Sequence, residues 1–126
     1  MTAPRDDKVF LEDILTAITN IEKYIADLSL ETFRLDAKTQ DAVVRNLEII
    51  GEAAKRISGS MRHAYPDIEW KPAAAMREPA AAMRDFLIHE YPDVDVEAVW
   101  DTIKTDLPAF KTGITRCLSE ALGKTQ

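Results

Sequence analysis

Apolar residues recur every three or four positions along nearly the whole chain, which is the spacing of one helix face. Phe10, Ile14, Ala17, Ile18, Ile21, Ile25 and Leu28 form a first stripe and predict a helix over about residues 7–28. Val43, Leu47, Ile50, Ala54 and Ile57 form a second, over about residues 37–58. Asp36 stands where a side-chain oxygen can accept from the free N–H groups that open that helix. Gly59 stands just past its end, where a left-handed residue commonly closes a helix. Residues 29–36 read as a connector with Phe33 as a plug on the core. Residues 60–71 read as a loop holding one short helical turn, anchored by Tyr65, Ile68 and Trp70 and punctuated by Pro66 and Pro72.

The next stretch is doubled. Residues 72–77 read PAAAMR and residues 79–84 read PAAAMR again, followed by Glu78 and Asp85 respectively. Seven residues carry a helix through two turns with a phase error of about 20°. A doubled heptad therefore lengthens a helix by about 10 Å and keeps its faces aligned. Pro79 sits between the copies. Inside a continuous helix it removes one hydrogen bond and crowds the preceding turn, at a cost of about 3 kcal/mol. At the first position of a helix it costs little. The second copy is expected to open the packed helix, with the first copy as an added turn or short helix before it. One kinked helix over residues 72–90 is the alternative. Pro92 disfavours helical geometry at Tyr91, so this helix ends near Glu90.

Asp95 is placed to cap a last helical segment whose stripe is Val96, Val99, Trp100, Ile103, Leu107, Phe110, Ile114 and Leu118. Pro108 either kinks it or divides it near Asp106. Four to five amphipathic helices with short links make an all-α, up-and-down helical bundle. The chain is expected to be a single domain over residues 1–126, packed over about 8–115 and frayed at 1–6 and 122–126.

Composition narrows the class. Apolar residues are 46% of the 126 and charged residues 30%, a soluble globular balance. Apolar runs fall far short of the roughly 20 residues that span a bilayer. The N-terminus, Met1-Thr2-Ala3-Pro4-Arg5-Asp6-Asp7, lacks the basic-then-apolar order of a secretion signal. Cys117 is the only cysteine, so no internal disulfide can form; a cytoplasmic location is expected, with Cys117 as a small buried residue. The net charge of −6 is the opposite of a general nucleic-acid binder's, so any RNA contact must come from a local patch.

Candidate chemistry gathers at the second heptad, in Arg84-Asp85-x3-His89-x-Tyr91. The first copy has Arg77 but no histidine after it. On a helix, Arg84 and Tyr91 fall on one line two turns apart, and Asp85 and His89, four apart, can touch. An Asp beside a His fixes its tautomer and raises its pKa. A histidine can move a proton near neutral pH. A guanidinium can hold the nonbridging oxygens of a phosphate as charge builds there. Together they suit phosphodiester cleavage, and with RNA the 2′-hydroxyl supplies the nucleophile without a metal. Arg84 and His89 lie about 140° apart on the helix, so one helix aims both poorly at one atom. A two-fold dimer relieves this, because a second chain can supply the other group.

Arg84-x4-His89-x-Tyr91 resembles the R-x4-H-x-Y signature of the HEPN superfamily, in its HepT-like branch. AVVRNLEIIGEAAKRIS at 42–58 resembles that family's second helix, YPDIEW at 65–70 its middle loop, and MRDFLIHEY at 83–91 with VDVEAVWDTIKTDLPAFK at 94–111 its last part. The resemblance runs in order from about residue 8 to 115. It implies a homodimeric helical bundle in which two Arg-His motifs face each other across a cleft. It also implies a metal-independent endoribonuclease that acts as the toxin of a type VII-like toxin–antitoxin pair and needs no cofactor. Arg84 and His89 would be catalytic, with Asp85 orienting His89. The antitoxin would be a minimal nucleotidyltransferase that silences the toxin by moving AMP from ATP onto Tyr91. An adduct there would lie along the line of Arg84, neutralise that cation and obstruct RNA. Two features depart from the family: the extra heptad, which lengthens the stretch between the loop tryptophan and Arg84, and Pro92 directly after Tyr91.

Around this motif, Arg45, Asn46 and Glu52 on the polar side of the second helix, and Arg77 in the first heptad copy, are candidate cleft or RNA contacts. Glu48 shares that side, and ordinary surface pairing with Glu52 and Lys55 is the alternative reading. Lys55, Arg56, Arg62 and His63 form a local basic cluster that could track a phosphate backbone or simply stabilise a helix end. Trp70 and Trp100 sit at core positions. No metal-ligand spacing or phosphate-cradling glycine loop appears. Neither DNA nor a membrane is expected as a partner. The competing function is a noncatalytic HEPN module that binds a nucleotidyltransferase, perhaps with nucleotide.

Overall fold

The computed structural model describes residues 5–75 and 96–123, and among them every regular element is helical. α1 spans Arg5–Ile25, α2 Leu30–Arg34, α3 Ala37–Arg56, α4 Gly59–Ala64 and α5 Trp70–Ala75. After the gap, α6 spans Val96–Asp101 and passes through a π-helical turn, Thr102–Asp106, into α7, Leu107–Gly123. The all-α reading holds. None of the described helices is long and apolar enough to cross a membrane.

The core is the set of stripes read from the sequence. Ile14, Ile18 and Ile21 of α1 meet Val43, Leu47 and Ile50 of α3, and all six are at most 1% exposed. α7 closes on α1 through Leu107, Ile114 and Cys117, while α5 packs on α3. In α1 the buried N-terminal residue is Leu11, and Phe10 is only half-buried. Burial of each large aliphatic side chain stabilises by about 1.5–3 kcal/mol.

Polar residues fix the joints. Ser29 caps α2 in a reciprocal box with Thr32, so the expected connector holds a short helix. Asp36 caps α3 as expected: Thr39 donates its backbone N–H at 3.0 Å and its hydroxyl at 2.6 Å. These bonds hold the Asp36 carboxyl below its ordinary pKa, the hydroxyl bond most. Buried Gln40 donates to the carbonyls of Phe33 at 2.7 Å and Arg34 at 3.0 Å, which pins the fully buried Phe33 against the core.

Gly59 differs from expectation. It is the first residue of α4, with Ser58 as the N-cap, and not a left-handed closure of α3. Ser58 accepts from Met61 N–H, while its own N–H and hydroxyl both donate to the carboxylate of Asp7 in α1. Asp7 is only 2% exposed. Arg62 then reaches back to the carbonyls of Ala54 at 2.7 Å, Lys55 at 3.2 Å and Ile57 at 3.2 Å, satisfying the open end of α3. That arginine of the basic cluster is committed to closing a helix.

Pro108 neither kinks nor divides the last helix. The π turn before it absorbs the missing donor: Leu107 N–H donates to the carbonyl of Thr102, five residues back. α5 begins two residues before Pro72, where a first-turn proline loses only an N–H that lacks a helical acceptor anyway. The remaining doubled heptad, Pro79, Pro92 and the expected Asp95 cap lie outside the described residues. Gly113 permits a close approach, since a Cβ there would lie 2.9 Å from Ile68 Cγ1. Trp70 is core, as expected, and meets Phe110 edge-on at 6.0 Å. Trp100 is half-buried against Phe33 at 5.1 Å.

Replacing Asp7 by Ala strands two donors of Ser58 and uncaps the α3–α4 joint. Urea unfolding of Asp7→Ala is expected to show a loss of about 1–3 kcal/mol.

Candidate active site

Two clefts of about 440 Å³ each open on the described surface. The first runs between α1 and α3 and is lined by Phe10 and Asp13 on one side and Arg45, Glu48, Ile49 and Glu52 on the other, with Arg56 at the end. Arg45 and Arg56 are exposed, Glu48 and Glu52 are half-buried, and Ile49 keeps 39% of its surface in water. This arc of α3 is what remains once its apolar stripe is packed on α1. It carries cations, carboxylates and an exposed aliphatic residue side by side, which suits recognition of a charged partner.

The second cleft lies between the loop before α5 and α7. Its charged lining residues are all acidic, Asp67, Glu69 and Asp106, over an apolar floor that includes Ile68 and Phe110. A rim of that sign repels a phosphate backbone. Beside it, Arg116 pairs with Asp67 at 2.9 Å and lies 5.2 Å from the ring of Tyr65. Tyr65 donates to Glu120 at 2.7 Å, and chiefly for that reason its phenol is pushed up to about 12. Burial pushes the Cys117 thiol up to about 12, which makes it a poor nucleophile at neutral pH.

The sequence candidates separate on this surface. Arg45 and Glu52 come together on the first cleft. Asn46 turns inward: it is 6% exposed, accepts from Asn20 at 3.3 Å and donates to the carbonyl of Ala42 at 2.8 Å. It ties α3 to α1 and does not line the cleft. Arg77, Arg84, Asp85, His89 and Tyr91 lie outside the described residues. Phe10, Asp13, Ile49 and Arg56 join the cleft without having been singled out for it. A signal was present for Ile49 and Arg56, which fall four and eleven residues after Arg45 on the same helix face. Among the described residues no group of three His, Cys, Asp or Glu side chains could hold a metal ion.

A family model described as "Ribonuclease HepT-like" matches residues 14–116. The chain belongs to the HepT-like ribonuclease family, within the HEPN superfamily. Three relatives show how much of a HepT-like chain is shared. "Probable ribonuclease HepT" of Thermococcus cleftensis is 45% identical over 107 residues, 85% of this chain and 91% of that protein. A "Putative RNase" of Methanocaldococcus jannaschii is 38% identical over 122 residues, 97% of this chain and 95% of its own length. A "Putative RNase" of Caldanaerobacter subterraneus is 33% identical over 120 residues, 95% of this chain and 98% of its own. No solved structure matches the HepT-like chain significantly.

Two measurements check these placements. Asn46→Ala is expected to lower stability by about 1–2 kcal/mol in urea unfolding, because it strands Asn20 and opens a small void between α1 and α3. Tyr65 is expected to ionise near pH 12 in a 295 nm difference titration against Tyr65→Phe, and Glu120→Gln should move that midpoint down. The folded state holds this proton more tightly than the unfolded chain, whose tyrosines ionise near about 10. The stabilisation is therefore complete below the unfolded value and is lost as pH rises through the folded one.

Proposed function

We propose that this chain is a metal-independent endoribonuclease that works as a homodimer and as the toxin of a toxin–antitoxin pair. The observation that carries the reading is that the family match over residues 14–116 spans an intact Arg84-x4-His89-x-Tyr91. His89 takes the proton of a ribose 2′-hydroxyl, and that oxygen attacks the adjacent phosphorus. The 5′-oxygen leaves with a proton returned by a protonated imidazole, His89 of the same chain or the partner's His89. The products are a 2′,3′-cyclic phosphate and a free 5′-hydroxyl. Arg84 holds the nonbridging oxygens as negative charge builds on them. Asp85 orients the imidazole. Because the nucleophile belongs to the RNA, the reaction requires no metal-bound water.

The partner in this reading is a minimal nucleotidyltransferase antitoxin that transfers AMP from ATP to the Tyr91 hydroxyl, releasing pyrophosphate. The adduct brings a phosphate to the line of Arg84, where it competes with RNA for the guanidinium. A lone, buried cysteine supports a reducing, cytoplasmic setting.

The second reading is a noncatalytic module that binds the nucleotidyltransferase. Its support is the net charge of −6, which disfavours long polyanions.

Purified wild-type chain should cleave RNA in the presence of EDTA, while His89→Ala and Arg84→Ala each lose about 100-fold or more in rate. Wild-type protein inert on RNA and harmless when induced without its partner would turn the decision to the binding module. Tyr91→Phe should keep cleaving but take up no label from α-³²P ATP when the transferase is supplied.

A further inference from the structure

The outward arc of α3 carries Asp41, Arg45, Glu48, Ile49, Glu52 and Arg56 within about 100° of one another on the helix. Of these, Asp41, Arg45, Ile49 and Arg56 are exposed. Among the described residues, Asp41, Arg45 and Arg56 make no ion pair. The order of charges along the arc is not random. It reads minus, plus, minus, apolar, minus, plus, and it is complementary to its own reverse in one register.

We propose that this arc is the two-fold seam between two copies of the chain, with the α3 helices antiparallel and the axis between Glu48 and Ile49. This rests on the homodimeric reading above and gives that dimer a surface. In this register Arg45 faces the partner's Glu52 and Arg56 faces the partner's Asp41. The axis repeats both pairs, so four opposite-charge pairs flank a centre where Ile49 lies beside the partner's Ile49.

Neighbouring registers fail. A slide of one helical turn in one direction sets Arg45 against the partner's Arg56. A slide in the other sets Asp41 against the partner's Glu52 and leaves Arg56 unmatched. A parallel two-fold pairing sets every charge against its own copy. Exposed ion pairs contribute little each, but like charges facing across an interface cost several kcal/mol, so the pattern selects register and orientation. The apolar part is Ile49, 39% exposed, beside the half-buried Phe10 and the cleft between α1 and α3. That cleft gives the partner's α3 side chains a groove to enter. A second copy fits the arc better than RNA does, because Glu48 and Glu52 stand between the two arginines and would oppose a phosphate backbone.

The test is sedimentation equilibrium of the full chain. Arg45→Glu and Glu52→Arg should each weaken the dimer by about tenfold or more, since each creates two like-charge contacts. The double variant R45E/E52R should recover the wild-type constant within about threefold, and a mixture of the two single variants should form the mixed dimer preferentially. These residues lie on the surface, and urea midpoints matching wild type confirm that each variant is folded. Ile49→Cys should cross-link to the partner's copy on oxidation, because Cys117 is buried and does not compete. A monomeric wild type, single reversals without effect, or no preference for the mixed dimer would overturn the seam. RNA cleavage assayed on the same samples keeps the two readings apart. A monomer that cuts RNA sinks the seam but not the nuclease, and a dimer of the expected register that is inert on RNA does the reverse.

Discussion

The antiparallel packing of α1 on α3 is the constraint from which the rest follows. Its direction is fixed at both ends by polar contacts, Asp7 with Ser58 at one and Asn20 with Asn46 at the other. Between them the isoleucines of α1 meet the valine, leucine and isoleucine stripe of α3. A helix has one stripe to bury and one arc left over. With the stripe of α3 committed to α1, the residues from Asp41 to Arg56 on the other arc have nowhere to face but outward. The cleft beside them is thus a consequence of core packing and not a separate feature. The same pairing brings Phe10 and Asp13 of α1 to its edge, because they border the buried stripe on which Ile14 sits.

Where the sequence was legible, a local rule was enough. The stripes of α1, α3 and α7 survive in the structure because a 3.6-residue period is a property of each segment by itself. Asp36 was readable for the same reason, as capping needs only the next three residues. The signal for α2 was also local: Ser29 and Thr32 have box spacing, but five residues seemed too few for a helix without the anchor that Gln40 provides.

What was hidden depended on partners far along the chain. Gly59 has the composition of a helix closure. Asp7, 51 residues away, binds Ser58 and makes that serine a cap, so a new helix opens where an old one was expected to end in a left-handed turn. Asn46 adjoins Arg45 on the wheel and passed for a cleft residue; its contact with Asn20, 26 residues distant, draws it inside. Arg62 counted as part of a basic cluster until the carbonyls at the end of α3 claimed it. Pro108 announced a disturbance, but a π turn is a third outcome that a choice between kink and break does not contain. The motif from Arg84 to Tyr91 was legible as chemistry, through spacing and residue type, and its geometry lies outside the described residues.

The charge balance also takes on a different meaning once the surface is divided. A chain at −6 is a poor match for RNA if its charge is spread evenly. It is not spread evenly. The cleft between the loop and α7 has only carboxylates among its charged lining, whereas the α3 arc alternates sign. Two chains joined along α3 would cancel charge at the seam, with Arg45 and Arg56 taken up by carboxylates of the other copy. The cations left to meet RNA would then have to come from outside that arc, and Arg84 is the one the family signature singles out. On this view α3 assembles the enzyme and the heptad arms it. A single chain would carry the reactive groups without the second set they need, so toxicity would depend on concentration through the dimer constant before it depended on chemistry.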